Sequence, residues 1–197
     1  MTSAVTDAGY ALFDTPIGRC AIAWEGGAVL GLQLPERSDN TALARMASRF
    51  PGFAPAEPPA FAKTLIGQVA AHLGGERIDY SQAPLALDRA GAFEVSVYRA
   101  ALAIPWGETR TYGALAAALG DPGAAQAVGQ ALGRNPWPIV VPCHRITAAD
   151  GRAGGFSAPG GAATKLRLLE IEGALAPDRC RSSRSRAPNP ALVPRAG

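Results

Sequence analysis

Short apolar runs punctuated by glycine and proline open the chain, and helical spacing takes over further along it. Tyr10-Ala-Leu-Phe-Asp-Thr-Pro-Ile-Gly18 and Arg19-Cys-Ala-Ile-Ala-Trp24 read as two strands about a turn at Thr15-Pro16. Gly26-Gly27 makes a tight connection to a third strand, Ala28-Val-Leu-Gly-Leu-Gln-Leu34. Residues 41–50 have helical spacing, with Leu43, Met46, Ala47 and Phe50 on one face. After a loop from Pro51 to Pro59, Phe61 to Leu73 reads as a second amphipathic helix stopped by Gly74-Gly75. Arg77 to Leu87 reads as a further strand and a crossing linker. These elements predict an α/β N-terminal unit over residues 1–88.

Residues 89–175 read as a mainly α-helical unit. Phe93 to Ala103 is helical, with Phe93, Val97, Ala100 and Leu102 apolar, and Ile104-Pro105-Trp106-Gly107 breaks it. Thr111 is an N-cap for Tyr112 to Leu119; Gly120 ends that helix, Asp121 caps the next, and Pro122 suits its first turn. Two short helices across a Gly-Asp-Pro turn form a helix-turn-helix signature, although two packed core helices leave the same trace. On the second helix Asp121, Ala125, Val128 and Leu132 share the inner face, and Gln126, Gly129, Gln130 and Gly133 share another. Two glycines on an exposed helical face cost about 1 kcal/mol each relative to alanine. Either a nucleic-acid groove or tight packing elsewhere in the protein accounts for them.

The run Ile139-Val140-Val141 reads as a short buried strand leading to Cys143. Thr147 to Gly151 is a turn, Gly154 to Gly161 a flexible loop able to wall a pocket, and Ala163 to Ile171 a helix ending at Gly173. Residues 176–197, rich in Arg, Ser and Pro, read as a disordered tail.

Charge changes this picture less than the total suggests. The chain carries net +3, but the tail holds five arginines against one aspartate, so the remainder is close to neutral. Affinity for a polyanion must come from local arrangement. Three cysteines, Cys20, Cys143 and Cys180, are odd in number and far apart, which points away from a disulfide scaffold and toward a reducing cytoplasm. No run of 18 apolar residues and no signal peptide is visible, so neither membrane nor export is expected. Cys20 reads as a core residue and His72, near a helix end, as a solvated residue or a partner of the helix dipole. No set of four Cys and His ligands suggests zinc, and neither a dinucleotide fingerprint nor a P-loop is present.

The chemistry concentrates in Asn135-Pro-Trp-Pro-Ile-Val-Val-Pro-Cys-His-Arg-Ile146. Three prolines in eight residues exclude a helix there. Cys143 stands between a proline and an imidazole, and a thiol needs a base or a positive field to act as a nucleophile. The alternative is a buried structural cysteine beside a core histidine.

Pro142-Cys143-His144-Arg145, preceded by Asn135-Pro136 and followed by Gly154-Gly155 and Glu172-Gly173, resembles the O6-alkylguanine-DNA alkyltransferases, from about Phe93 to Ala174 with a weaker N-terminal match. The resemblance implies a ribonuclease-H-like sheet in the N-terminal unit and a winged-helix-like helix-turn-helix in the C-terminal one. It implies one irreversible transfer of an alkyl group from O6-alkylguanine, and from O4-alkylthymine as a further candidate, to Cys143. His144 takes the thiol proton through a water, Glu172 orients His144, Tyr112 gives its proton to the purine, and Asn135 ties the turn that bears the cysteine. Arg145 is structural. Ala125, Gln126, Gly129, Arg134, Asn135 and Ser157 are placed at the DNA. No cofactor and no metal is implied; the partner is double-stranded DNA bearing the lesion, and the protein a cytoplasmic monomer. Two departures stand out: Gln126 where relatives carry an arginine finger that fills the gap left by a flipped base, and Phe156 in a loop about two residues longer than usual. Gln126 leaves open the same chemistry on a more accessible substrate, such as single-stranded DNA, a free base or a small molecule. A lesion-binding module is disfavoured by the intact Cys143.

Overall fold

Strands β1 (Ala8–Phe13), β2 (Cys20–Glu25) and β3 (Ala28–Gln33) form an antiparallel meander, pairing Phe13 with Cys20 and Glu25 with Ala28. The computed structural model describes residues 7–149 and 155–174; Gly154, Cys180 and the arginine-rich tail lie outside the described residues. Gly26 and Gly27 both adopt positive φ, the geometry a two-residue hairpin turn requires.

Helix α1 (Asp39–Arg49) starts at Ser38, whose hydroxyl accepts the Thr41 amide. It buries Ala42 and Met46, while Ala47, expected on the inner face, is exposed. Helix α2 (Ala60–Leu73) buries Ala62, Leu65, Val69, His72 and Leu73. The strand expected within Arg77 to Leu87 does not form. That segment meets β3 at one bridge, Val29 with Leu85, where the Val29 amide donates to Pro84 and the Ala86 amide to Val29. Pro84 has no N–H with which to extend a ladder.

The second half is helical: α3 (Ala92–Leu102), α4 (Tyr112–Ala118), α5 (Ala125–Gly133) and α6 (Gly161–Ile171). The Thr111 hydroxyl caps α4 by accepting the Ala114 amide. Gly120 leaves the helix at φ 88°, a left-handed conformation suited to glycine. Asp121 then accepts the Gly123 amide and opens a single 3-10 turn, Pro122–Ala124, into α5. Val128, Ala131 and Leu132 face inward from α5, and the Tyr98 hydroxyl on α3 donates to the Ala131 carbonyl. One apolar core runs from Tyr10 in the sheet through Val69, Val97 and Val128 to Leu168. Among the described residues, no helix is long and apolar enough to cross a membrane.

Candidate active site

Asn135 shapes the loop that carries the thiol. Its Oδ1 accepts the Trp137 amide at 2.9 Å and its Nδ2 donates to the Val141 carbonyl at 2.9 Å. The segment Ile139 to Val141, expected as a strand, is a buried turn closed by the Val141 amide on the Trp137 carbonyl at 2.8 Å. Ile139 sits at φ 77°, strained for a β-branched residue and sustained by full burial. An apolar run between Pro138 and Pro142 cannot pair along a sheet, because those residues lack the amides a ladder needs. The N-terminal sheet and the end of α1 brace the loop. Leu32 and Arg49 both donate to the Pro136 carbonyl, and the Trp137 indole donates to Val29.

Cys143 opens a 3-10 turn, Cys143–Arg145, that runs into β5 (Ile146–Thr147). That two-residue strand pairs in parallel with β4 (Arg110–Thr111), matching Arg110 to Ile146 and Thr111 to Thr147. The pairing sets Tyr112, first residue of α4, beside the cysteine loop.

Behind Cys143 lies a buried charged cluster. Glu172, at the end of α6, accepts at Oε1 from His144 Nε2 at 2.7 Å, His72 Nε2 at 3.1 Å and Arg145 Nη2 at 3.0 Å. Its Oε2 accepts from Arg145 Nε at 2.8 Å, and Arg145 Nη1 reaches the Ile104 carbonyl. Burial alone would raise the Glu172 pKa. The hydrogen bonds from His144, His72 and Arg145 override it and hold the carboxyl well below the ordinary range. An ionised carboxylate only accepts, so both imidazoles carry hydrogen on Nε2. His144 Nδ1 is buried with no partner among the described residues. Burial lowers the His144 pKa against the pull of Glu172, which leaves that Nδ1 a free acceptor.

Burial likewise pushes the Cys143 thiol up, while the Asn135 amide, the Lys165 ammonium and the amides of Cys143 and His144 draw it back. The resting group is a thiol set among donors that stabilise a thiolate. Cys20 contrasts with it: burial pushes it up to about 12, opposed only by Thr15. Lys165, fully buried, donates to the Ile146 carbonyl and lies 5.8 Å from the centre of the Tyr112 ring. Burial raises the Tyr112 pKa, as does the nearby Cys143, so the phenol keeps its proton.

A cavity of about 1060 Å³ opens over this site. Cys143, Tyr112, Ala125, Gln126, Gly129, Arg134, Asn135 and Ser157 all line it, as do Phe156 and, from α1, Arg45 and Arg49. Thus every DNA-facing residue expected from the sequence borders the space that holds the thiol. Arg134 also pairs with Glu94 at 2.8 Å, and the Tyr112 hydroxyl donates to Gly155 at 3.4 Å. An added Cβ on Gly129 would meet only the Tyr112 ring, at 3.8 Å, and one on Gly133 only Ser157, at 3.4 Å. Packing within the described chain therefore does not demand either glycine.

Two buried residues escaped the sequence reading. His72, expected in solvent or against the helix dipole, is fully buried and bonded to a residue 100 positions away. The stripe Ala62-Leu65-Val69-His72 carried the signal, since His72 continues an inward helical face. Lys165 likewise continues the stripe Lys165-Leu168-Leu169-Glu172. The atoms of His72, His144 and Glu172 lie within 4.8 Å of one another, the spacing of a three-ligand metal site. Four N–H groups already fill the carboxylate, and the Arg145 guanidinium repels a cation there, so the set does not suit a metal.

This small sheet, followed by a helical body whose buried cysteine is backed by a histidine–glutamate pair, marks a distinct class. Residues 92–174 match the DNA-binding domain of 6-O-methylguanine DNA methyltransferase. The methylated-DNA–protein-cysteine methyltransferase of Mycobacterium bovis is 37% identical over 169 residues, 85% of this chain and 94% of that protein. Its counterpart in Mycobacterium leprae is 39% identical over 81% of this chain and 88% of that protein. The crystal structure of Mycobacterium tuberculosis OGT in complex with DNA superposes with TM-score 0.68 at 37% identity, covering 84% of this chain and 93% of that one. The chain belongs to the methylated-DNA–protein-cysteine methyltransferase family.

Proposed function

We propose that this protein repairs DNA by transferring the alkyl group of O6-alkylguanine to Cys143, once per molecule. The observation that carries the reading is the shared cavity, in which the thiol and the glycine-bearing face of α5 border one opening. His144 Nδ1 takes the Cys143 proton through a water. The thiolate attacks the alkyl carbon, the S–C bond forms and the C–O6 bond breaks, leaving its electron pair on the purine. Tyr112 gives its proton to the purine. The net change turns a thiol and an alkylguanine into a thioether and guanine, and proton exchange with water restores Tyr112 and His144.

The base reaches this depth only out of the stack. Helix α5 enters the minor groove, with Gly129 and Gly133 keeping its face thin. α4 and α5 serve as a winged-helix-like helix-turn-helix, and the meander with α1 and α2 as a ribonuclease-H-like N-terminal domain over residues 1–88. Gln126 occupies the place of the intercalating finger and hydrogen-bonds the orphaned partner base. The protein acts in the cytoplasm, associated with DNA.

Gln126 also favours a second reading, the same transfer on a substrate that needs no flipping. Rates on duplex O6-methylguanine and on free O6-benzylguanine separate the two. Gln126→Arg should speed the duplex reaction and leave the free-base rate unchanged, and Gln126→Ala should slow only the duplex reaction. Equal behaviour on both substrates in both variants would favour the accessible substrate.

A further inference from the structure

His72 has no part in the mechanism above, yet it sits in the same buried cluster as its principal base. It lies on α2, in the N-terminal half, and reaches across to Glu172 in the last helix. Tyr80 stacks on its ring at 5.7 Å between centroids, Trp106 tilts against it at 4.8 Å, and the His144 ring stands edge-on at 6.3 Å. The ionisable or charged groups recorded around it are therefore Glu172, His144, Tyr80 and, on the far side of the carboxylate, Arg145. Burial raises the Tyr80 pKa, so it stays a neutral phenol.

A carboxylate offers about four acceptor sites. Here His72, His144 and two nitrogens of Arg145 supply four donors. Three of them, from His72, His144 and Arg145 Nη2, converge on Oε1, which has two lone pairs. His144 therefore shares that oxygen with two competitors, and the share it draws sets how readily it accepts the Cys143 proton.

We propose that His72 is a positioning residue that occupies one acceptor site of Glu172, so restraining the support Glu172 gives to a proton on His144 and keeping Cys143 a thiol in the resting protein. The inference rests on the alkyl-transfer reading for its purpose, but not for its test. The benefit is a nucleophile protected, between lesions, from adventitious electrophiles that would consume a single-use protein. The same hydrogen bond holds the two halves of the chain to one carboxylate, so the restraint depends on the N-terminal half.

The test traps Cys143 with iodoacetamide between pH 5.5 and 9 and maps the product by peptide mass, which needs no alkylated base. His72→Phe keeps a ring between Tyr80 and Trp106 and removes the N–H; His72→Gln keeps an N–H donor and removes the ring. The Phe variant should trap about 3- to 10-fold faster near neutral pH, the span of the net contribution of one ordinary hydrogen bond, with its midpoint at lower pH. The Gln variant should return to the wild-type profile. A Phe variant as slow as wild type or slower, or a Gln variant that behaves like Phe, would overturn the proposal. Should the Phe variant fail to fold, nitrogen NMR of the wild-type imidazoles decides. Hydrogen on Nε2 of both rings is expected, and hydrogen on Nδ1 of either resting ring contradicts the arrangement. Wild-type benzyl transfer from O6-benzylguanine, measured alongside, reports separately on the alkyl-transfer reading.

Discussion

Asn135 Nδ2 donates to the Val141 carbonyl at 2.9 Å, closing the loop two residues before Cys143. The other end of the same amide accepts from Trp137, and the pair holds Ile139 in its left-handed conformation. Asn135→Ala leaves the Val141 carbonyl and the Trp137 amide without these partners. It should lower stability by about 2 kcal/mol and slow benzyl transfer to Cys143 further than the loss of folded protein explains. Thermal unfolding measured beside transfer rate separates the two effects. Unchanged transfer in the folded fraction would mean that the loop holds its shape without the clamp.

Gly129 offers a test in which stability and function move apart. Its added Cβ meets only ordinary contact with Tyr112, so Gly129→Ala should stabilise α5 by up to about 1 kcal/mol. A thicker face would hinder approach to a groove. Duplex repair should slow while transfer from a free base stays nearly constant. A stabilised variant with full duplex activity would remove α5 from the DNA interface.

Lys165 stands buried beside the Tyr112 ring and favours ionisation of Cys143. Lys165→Met keeps the volume and removes the charge. The pH midpoint for iodoacetamide trapping of Cys143 should rise, and benzyl transfer at neutral pH should fall about ten-fold, the equivalent of one pKa unit. A midpoint that stays put would assign Lys165 to packing alone.

Glu172 and His144 give stability a definite dependence on pH. His144 is held below its ordinary value near 6.5, so as pH falls through that value the unfolded chain binds a proton the folded one resists. Glu172 is held below its ordinary value near 4.5, so its contribution is full above that pH and is lost progressively below it. Denaturant unfolding should show stability declining below about pH 6.5 and more steeply below about 4.5. Glu172→Gln should be less stable at pH 7 by about 3 kcal/mol, the cost of stranding Arg145, and should lose the steep acid segment. A Gln variant that keeps that segment would place the acid-sensitive group elsewhere.

The sequence disclosed what local chemistry dictates. Gly26-Gly27, the Thr111 and Asp121 caps and the Gly120 exit were readable because each satisfies backbone groups within a few residues. The Pro-Cys-His-Arg motif was readable as a site through its resemblance to a known family, since a rigid backbone and an adjacent imidazole alone fit a buried structural cysteine as well. Ile139 to Val141 was misread, since an apolar run records burial and not the path of the backbone. His72 and Lys165 were missed for another reason. Their partners lie far along the chain, Glu172 and Ile146, and only folding brings a polar side chain on an inward stripe to its acceptor.

The central claim is that Cys143 alone receives the alkyl group, once. Intact mass after incubation with duplex DNA containing O6-methylguanine, followed by peptide mapping, measures this directly. One added methyl on the peptide holding Cys143, no further gain with excess substrate, and none in Cys143→Ala are the expected results. An unchanged mass, a second methyl, or a methyl carried on Cys20 would contradict the account.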